Sequence, residues 1–166
     1  SLDKKLISQG SVTKKIEQKI CSKLKIKHCV LNTSGTASLY LSLLYIKNRV
    51  NNSKKNEVII SDRSWISPAH AAYLLGLKLV FVDVKKDIPI CDEKEITKKI
   101  NNKTLCVICV QLNGRAVDVD YIKRKNKKIF IIEDAAQSFY SKKNENFIGT
   151  RGDIGIFSFS MGKIIT

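Results

Sequence analysis

Ile131-Ile132-Glu133-Asp134-Ala135-Ala136-Gln137 is the stretch that decides the fold. Apolar residues 129–132 run straight into two carboxylates, and small residues follow. Such a run is too short for a helix and suits a strand buried on both faces, opening into a loop at its carboxyl end. Working back, residues 105–110, 79–82 and 57–60 repeat the pattern, and forward of it residues 154–159 predict a last strand. Helical segments lie between them. Residues 35–47 are apolar nearly all round (Leu39, Leu41, Leu43, Leu44, Ile46), which predicts a deeply buried helix. Residues 68–75 suit a helix closed by Gly76, residues 93–100 a polar helix, and residues 119–125 a short one. Nearer the start, Val12, Ile16, Ile20 and Leu24 recur every four residues, giving an amphipathic helix with Ser11 as its N-cap. His28-Cys29-Val30-Leu31 reads as a short buried strand, and residues 48–56, rich in Asn and Lys, as a loop.

Strands alternating with helices predict an α/β fold, a mainly parallel sheet covered by helices on both faces. A sheet of that kind gathers its ligand groups beyond the carboxyl ends of its strands. Every candidate residue below is placed by that rule.

The 166 residues suit one domain, and 43% hydrophobic content is ordinary for a globular chain. No apolar run of the length needed to cross a bilayer occurs, and the start carries no signal-peptide pattern, so no membrane partner is expected. The net charge of +15 raises nucleic acid as a partner. However, the basic residues are mostly Lys, spread over helices and loops without interleaved aromatics for stacking bases, so solvated helix faces are expected instead. Five cysteines (Cys21, Cys29, Cys91, Cys106, Cys109) show no metal or disulfide pattern. Cys106 and Cys109, at an odd offset on a strand, should face opposite ways as inert buried thiols. Unpaired thiols point to a reducing cytoplasm.

Four segments reach the expected ligand edge. In Asn32-Thr33-Ser34-Gly35-Thr36-Ala37, Gly35 permits close backbone approach, and free amides at a helix N-terminus would hold a phosphate. Turns of this kind also cap many helices. Trp65, the only tryptophan, lies in a loop after the 57–60 strand, as a packing residue or as a flat apolar lid over an aromatic ring. Asp134 sits at the mouth of its strand, where burial would neutralise it unless a cation lies opposite. Phe157-Ser158-Phe159-Ser160-Met161-Gly162-Lys163 then delivers an amine just past the last strand. Desolvation and neighbouring positive charge there would lower the pKa of Lys163 enough for it to form an imine. An acid and an amine so placed are the minimum equipment for working pyridoxal phosphate: the lysine forms the Schiff base and the acid keeps the ring nitrogen protonated.

The ordered set of motifs resembles the DegT/DnrJ/EryC1/StrS family of sugar aminotransferases, of the aspartate-aminotransferase superfamily (fold type I). It runs through Gln9-Gly10-Ser11-Val12, Asn32 to Ala37, Glu57 to Ile60 and Gly76-Leu77-Lys78-Leu79-Val80-Phe81-Val82-Asp83. It continues with Asn113-Gly114-Arg115-Ala116-Val117-Asp118, Glu133 to Gln137, Gly152-Asp153, Phe157-Ser158-Phe159 and Lys163-Ile164-Ile165-Thr166. The resemblance implies that Lys163 anchors pyridoxal 5'-phosphate and moves the substrate proton, and that Asp134 pairs with the ring nitrogen. It also implies that Gln137 sits near the ring hydroxyl and that Trp65 stacks on the ring. The amides of Gly35 and Thr36, with the Ser158 hydroxyl, would hold the phosphate.

Glutamate would supply the amino group, and a nucleotide-linked keto sugar would receive it, in a homodimer whose active site lies between subunits. Family members are roughly twice this length, so residues 1–166 are expected to be a partial large domain, inactive alone, without the small C-terminal domain. Ser160-Met161-Gly162 stands where an aromatic and a proline are usual. A dehydratase branch carries histidine at the lysine position, so Lys163 favours amino transfer.

Overall fold

The computed structural model describes residues 10–163. Gln9 and Ile164-Ile165-Thr166, which belong to the motif set above, lie outside them. Two compact units make up the chain, Ser1–Thr33 and Ser34–Thr166.

In the first unit, α1 spans Ser11–Leu24. Its N-cap is Gly10 rather than Ser11, with no side-chain cap, because Ser11 already lies inside the helix. Only the second half of the expected apolar stripe is covered: Ile20 and Leu24 are buried while Val12 and Ile16 are exposed. The helix ends at Lys25 in the left-handed conformation, and Ile26 N–H donates to the Cys21 carbonyl at 3.0 Å. Residues 28–31 form no strand, contrary to the sequence reading. Val30 is 76% exposed, and the Leu31 N–H donates to Glu17 Oε1 at 2.9 Å. A strand needs a neighbouring strand to complete its hydrogen bonds, and the partner of this segment is a helical side chain.

The second unit begins with α2 (Gly35–Val50), followed by β1 (Glu57–Ser61), α3 (Ser67–Leu74), β2 (Lys78–Val82) and α4 (Glu93–Lys99). Then come β3 (Thr104–Val110), a 3-10 turn (Leu112–Gly114), α5 (Val119–Lys125) and β4 (Phe130–Asp134). A small hairpin, β5 (Lys142–Lys143) and β6 (Asn146–Phe147), precedes β7 (Ile154–Ile156). The sheet has the order β2-β1-β3-β4-β7, and every neighbouring pair is parallel. The expected parallel α/β fold is therefore what the chain adopts.

Side-chain alternation divides the core in two. Val58, Ile60, Cys106, Ile108 and Ile132 pack with Leu39, Leu43 and Ile46 of α2 and Ala71 and Ala72 of α3. Ile59, Val107, Cys109 and Ile131 pack with Ile96 of α4 and with Val119 and Ile122 of α5. Cys106 and Cys109 thus face opposite ways, both buried, as their odd spacing requires.

Helix boundaries follow local chemistry. Ser34 caps α2 by accepting from Ala37 N–H at 3.1 Å, and Asp118 caps α5 by accepting from Tyr121 N–H at 2.8 Å. Gly76, at φ +66°, closes α3, with Leu77 N–H on the Ala72 carbonyl. Three expectations needed adjustment. Helix α2 runs on to Val50, which shortens the expected loop, because the left-handed Asn51 and not Asn48 stops it. Its surface is not buried all round, since Leu41 and Tyr45 are about half exposed. Strand β7 ends at Ile156 rather than Phe159, because Phe157 and Phe159 both turn onto Phe139.

Candidate active site

Because the five strands are parallel, Ser61, Val82, Val110, Asp134 and Ile156 share one edge of the sheet. Alternation sends the two acids of β4 to opposite faces: Asp134 follows Ile132 toward the side of α2 and α3, and Glu133 follows Ile131 toward α4 and α5.

Asp134 is 7% exposed. Burial pushes its carboxyl above the usual carboxylate range, and the Ala136 N–H and the positive charge of Lys163 pull it back part of the way. Its Oδ1 accepts from Ala136 N–H at 3.2 Å, and among the described residues Oδ2 has no donor. The amine of Lys163 is thus close enough for its charge to bear on Asp134, although 29 residues separate them in sequence.

Lys163 is turned back toward this edge by residues 160–163. Its N–H donates to the Ser160 carbonyl at 3.0 Å, and Gly162 in the third position has φ +85°. A turn with that φ wants glycine there, which accounts for Gly162 in a stretch that departs from the usual aromatic and proline. Met161 at the tip is 94% exposed.

Ser158 and Gly35 also meet. A Cβ on Gly35 would lie in ordinary contact with the Ser158 Cβ at 3.7 Å and its Oγ at 4.0 Å, which puts the Ser158 hydroxyl beside the start of α2. The N–H groups of Gly35 and Thr36 have no acceptor among the described residues, as expected for the first turn of a helix. The Thr36 hydroxyl bonds the Ser67 hydroxyl at 2.9 Å, bringing the start of α3 to the same place. Ser158 is held from behind: Phe139 meets Phe157 at 5.4 Å and Phe159 at 5.0 Å, both edge-on.

Gln137 is tied to the 3-10 turn. Its Oε1 accepts from Asn113 N–H at 3.3 Å and its carbonyl from Gly114 N–H at 3.1 Å. Trp65 follows β1 at the same edge with 75% of its surface exposed, so it is not packed into the core among the described residues.

Sequence reasoning gave Glu133 no role of its own. This 2%-exposed carboxylate accepts from Gln111 Nε2 (2.8 Å) and from three backbone N–H groups, Gly149 (3.0 Å), Arg151 (2.6 Å) and Gly152 (2.6 Å). Gln111 Oε1 in turn accepts from Val117 N–H at 2.8 Å, and the Gln111 carbonyl accepts from Ser138 Oγ at 2.7 Å. The network pins the loop before β7 and the loop after β3 to the strand that ends in Asp134. An acid within an apolar strand was the available sign of such a hub. No cluster of three or more His, Cys, Asp or Glu able to hold a metal occurs among the described residues.

Comparison with known proteins agrees with this architecture. GDP-perosamine synthase of Escherichia coli O157:H7 is 33% identical over 161 residues, covering 96% of this chain and 43% of that protein. Helicobacter pylori PseC, an aminotransferase involved in the biosynthesis of pseudoaminic acid, superposes with TM-score 0.88 at 27% identity, over 96% of this chain and 43% of its own. An E. coli GDP-4-keto-6-deoxy-D-mannose-3-dehydratase with bound hydrated PLP shares the fold at TM-score 0.90 and 24% identity, over 99% of this chain and 43% of its own. The chain thus spans under half the length of these relatives. Residues 1–166 match the description "DegT/DnrJ/EryC1/StrS aminotransferase family", and the chain belongs to that family.

Proposed function

We propose that this chain is the cofactor-anchoring part of a pyridoxal-phosphate-dependent aminotransferase that passes an amino group from glutamate to a nucleotide-linked keto sugar. The observation that carries the reading is Asp134, a buried carboxylate under the positive charge of Lys163, at the same strand edge as the open amides of α2.

The residues suit the group. Asp134 Oδ2, without a donor among the described residues, is available to a protonated ring nitrogen, and a cation there would return the carboxylate to its charged form. The amides of Gly35 and Thr36, the Thr36–Ser67 hydroxyl pair and the Ser158 hydroxyl suit a phosphate at a helix N-terminus. Gln137 suits the ring hydroxyl, and Trp65, exposed at this edge, suits a ring face. When bound, pyridoxal phosphate supplies an electron sink for the substrate carbon. Lys163 would be the residue to hold the group and, when its amine is free, to carry a proton at the substrate. Asp134 would hold the ring nitrogen in its protonated form. The sugar-side residues and a second subunit complete the site in a homodimer.

The test uses the longer protein that contains this chain. Added pyridoxal phosphate should give the absorbance band of a lysine-bound cofactor, and borohydride reduction followed by peptide mapping should place the label on Lys163. Label on another lysine would refute the assignment. Product analysis with glutamate and keto sugars separates amino transfer from the dehydration named for one of its structural neighbours.

A further inference from the structure

Three of the five cysteines, Cys91, Cys106 and Cys109, are buried in the second unit. The other two, Cys21 and Cys29, belong to the first unit and are only half buried. Their positions are linked by two features of the backbone.

Past Leu24 the chain reverses at the left-handed Lys25, and the returning segment runs back along α1. The Leu31 N–H then meets Glu17 Oε1 at 2.9 Å, fixing that segment against the helix one turn before Cys21. Glu17 and Cys21, four apart, lie on one face and are separated by about 6 Å along the helix axis. Cys29 precedes Leu31 by two residues, which in extended chain is about 6.6 Å. The Leu31–Glu17 bond thus brings Cys29 back to about the level of Cys21 along the helix.

We propose that Cys21 and Cys29 form an oxidisable thiol pair, a site of disulfide formation with low-molecular-weight disulfides such as glutathione disulfide. The Cys21 thiolate attacks one sulfur of glutathione disulfide and releases one glutathione thiol. The Cys29 thiolate then displaces the second glutathione from the mixed disulfide. The two protein thiols lose two protons and two electrons, and the oxidant becomes two molecules of glutathione. The product closes a short loop across the reversal at Lys25, just ahead of the Ser34-Gly35-Thr36 turn.

The surroundings agree with this pairing. Burial pushes the Cys29 thiol up, and Cys21 and Glu17 beside it add to the rise. The buried thiols differ: desolvation pushes Cys91 up to about 11 and Cys106 up to about 12, so both remain protonated and shielded at neutral pH.

The test exposes the purified full chain to mixtures of glutathione and glutathione disulfide, both native and in concentrated urea, followed by alkylation and peptide mapping. The expected product is a cross-link between the tryptic peptides 20–23 and 28–47, with Cys91, Cys106 and Cys109 alkylated only after unfolding. Since a native alignment raises the effective concentration of one thiol at the other, the equilibrium constant for the cross-link should be at least tenfold larger in the folded chain than in urea. Cys21→Ser should convert the product to a mixed glutathione disulfide on Cys29. Equal constants in the two states, or separate glutathione adducts on both cysteines of the native chain, would overturn the pairing.

Discussion

Asp134 and Glu133 are adjacent carboxylates with opposite duties, and each predicts a distinct response to mutation. A carboxyl held above its unfolded range binds its proton more readily in the folded state. Folding stability is therefore lost as pH rises from the unfolded value of 3.8 through the raised folded one. In the ligand-free chain Asp134 thus weakens folding at neutral pH. Asp134→Asn should raise the neutral-pH melting temperature, by roughly 2–4 °C for each kcal/mol recovered, and flatten its dependence on pH within that range. An unchanged or lowered melting temperature in a thermal scan would contradict this. Glu133 instead ties loops to the sheet, because four donors converge on it. Glu133→Ala strands them in a dry site and should cost roughly 3–5 kcal/mol, read as a lower urea midpoint. Glu133→Gln keeps one acceptor and should lose less. The sequence showed both acids, and the apolar run before Asp134 was enough to mark its place. It could not show the donors gathered on Glu133, since three are backbone groups of residues 149–152, whose chemistry is the same in any sequence.

Among the elements, those that the sequence made plain are the ones stabilised by their own side chains. Strands β1, β3 and β4 are apolar on both faces and nearly all buried, so periodicity found them. The hairpin of β5 and β6 escaped because each strand has two residues and the intervening Asn144 and Glu145 both take positive φ. Residues 28–31 carry strand-forming side chains and still form none, because strand formation depends on a neighbour that no local pattern encodes. At the other end of the sheet, β7 is short and close to its own preceding loop. A Cβ on Gly155 would collide with the Gly149 carbonyl, and Gly149 at φ +89° leaves no room for a side chain beside Phe157. Gly155→Ala should therefore detach β7 or displace residues 149–152, destabilising the chain by roughly 1–3 kcal/mol. Faster hydrogen exchange at Ala135 N–H, which donates to the Ile156 carbonyl, is the local readout. Ser158 and Lys163 follow β7 directly, so the same variant should weaken any cofactor attachment at this edge.

At the scale of the whole molecule, the net charge of +15 acts on whatever anion the site takes. If the substrate is a nucleotide-linked sugar, raising ionic strength from about 0.01 M to 0.15 M shortens the screening length from about 30 Å to 8 Å. The apparent affinity should fall several-fold over that range in a titration, and a salt-independent constant would assign the lysines to solubility alone. No helix among the described residues is long and apolar enough to cross a membrane. The turn that carries Lys163 has one practical result. Met161, at its exposed tip, is the sole methionine in 166 residues. Cyanogen bromide therefore cuts residues 1–166 once, and the fragment released downstream opens with Gly162-Lys163, so that Lys163 is its first amine-bearing side chain. One chemical scission thus isolates that residue from the 24 other lysines, provided the thioether has been protected from peroxide.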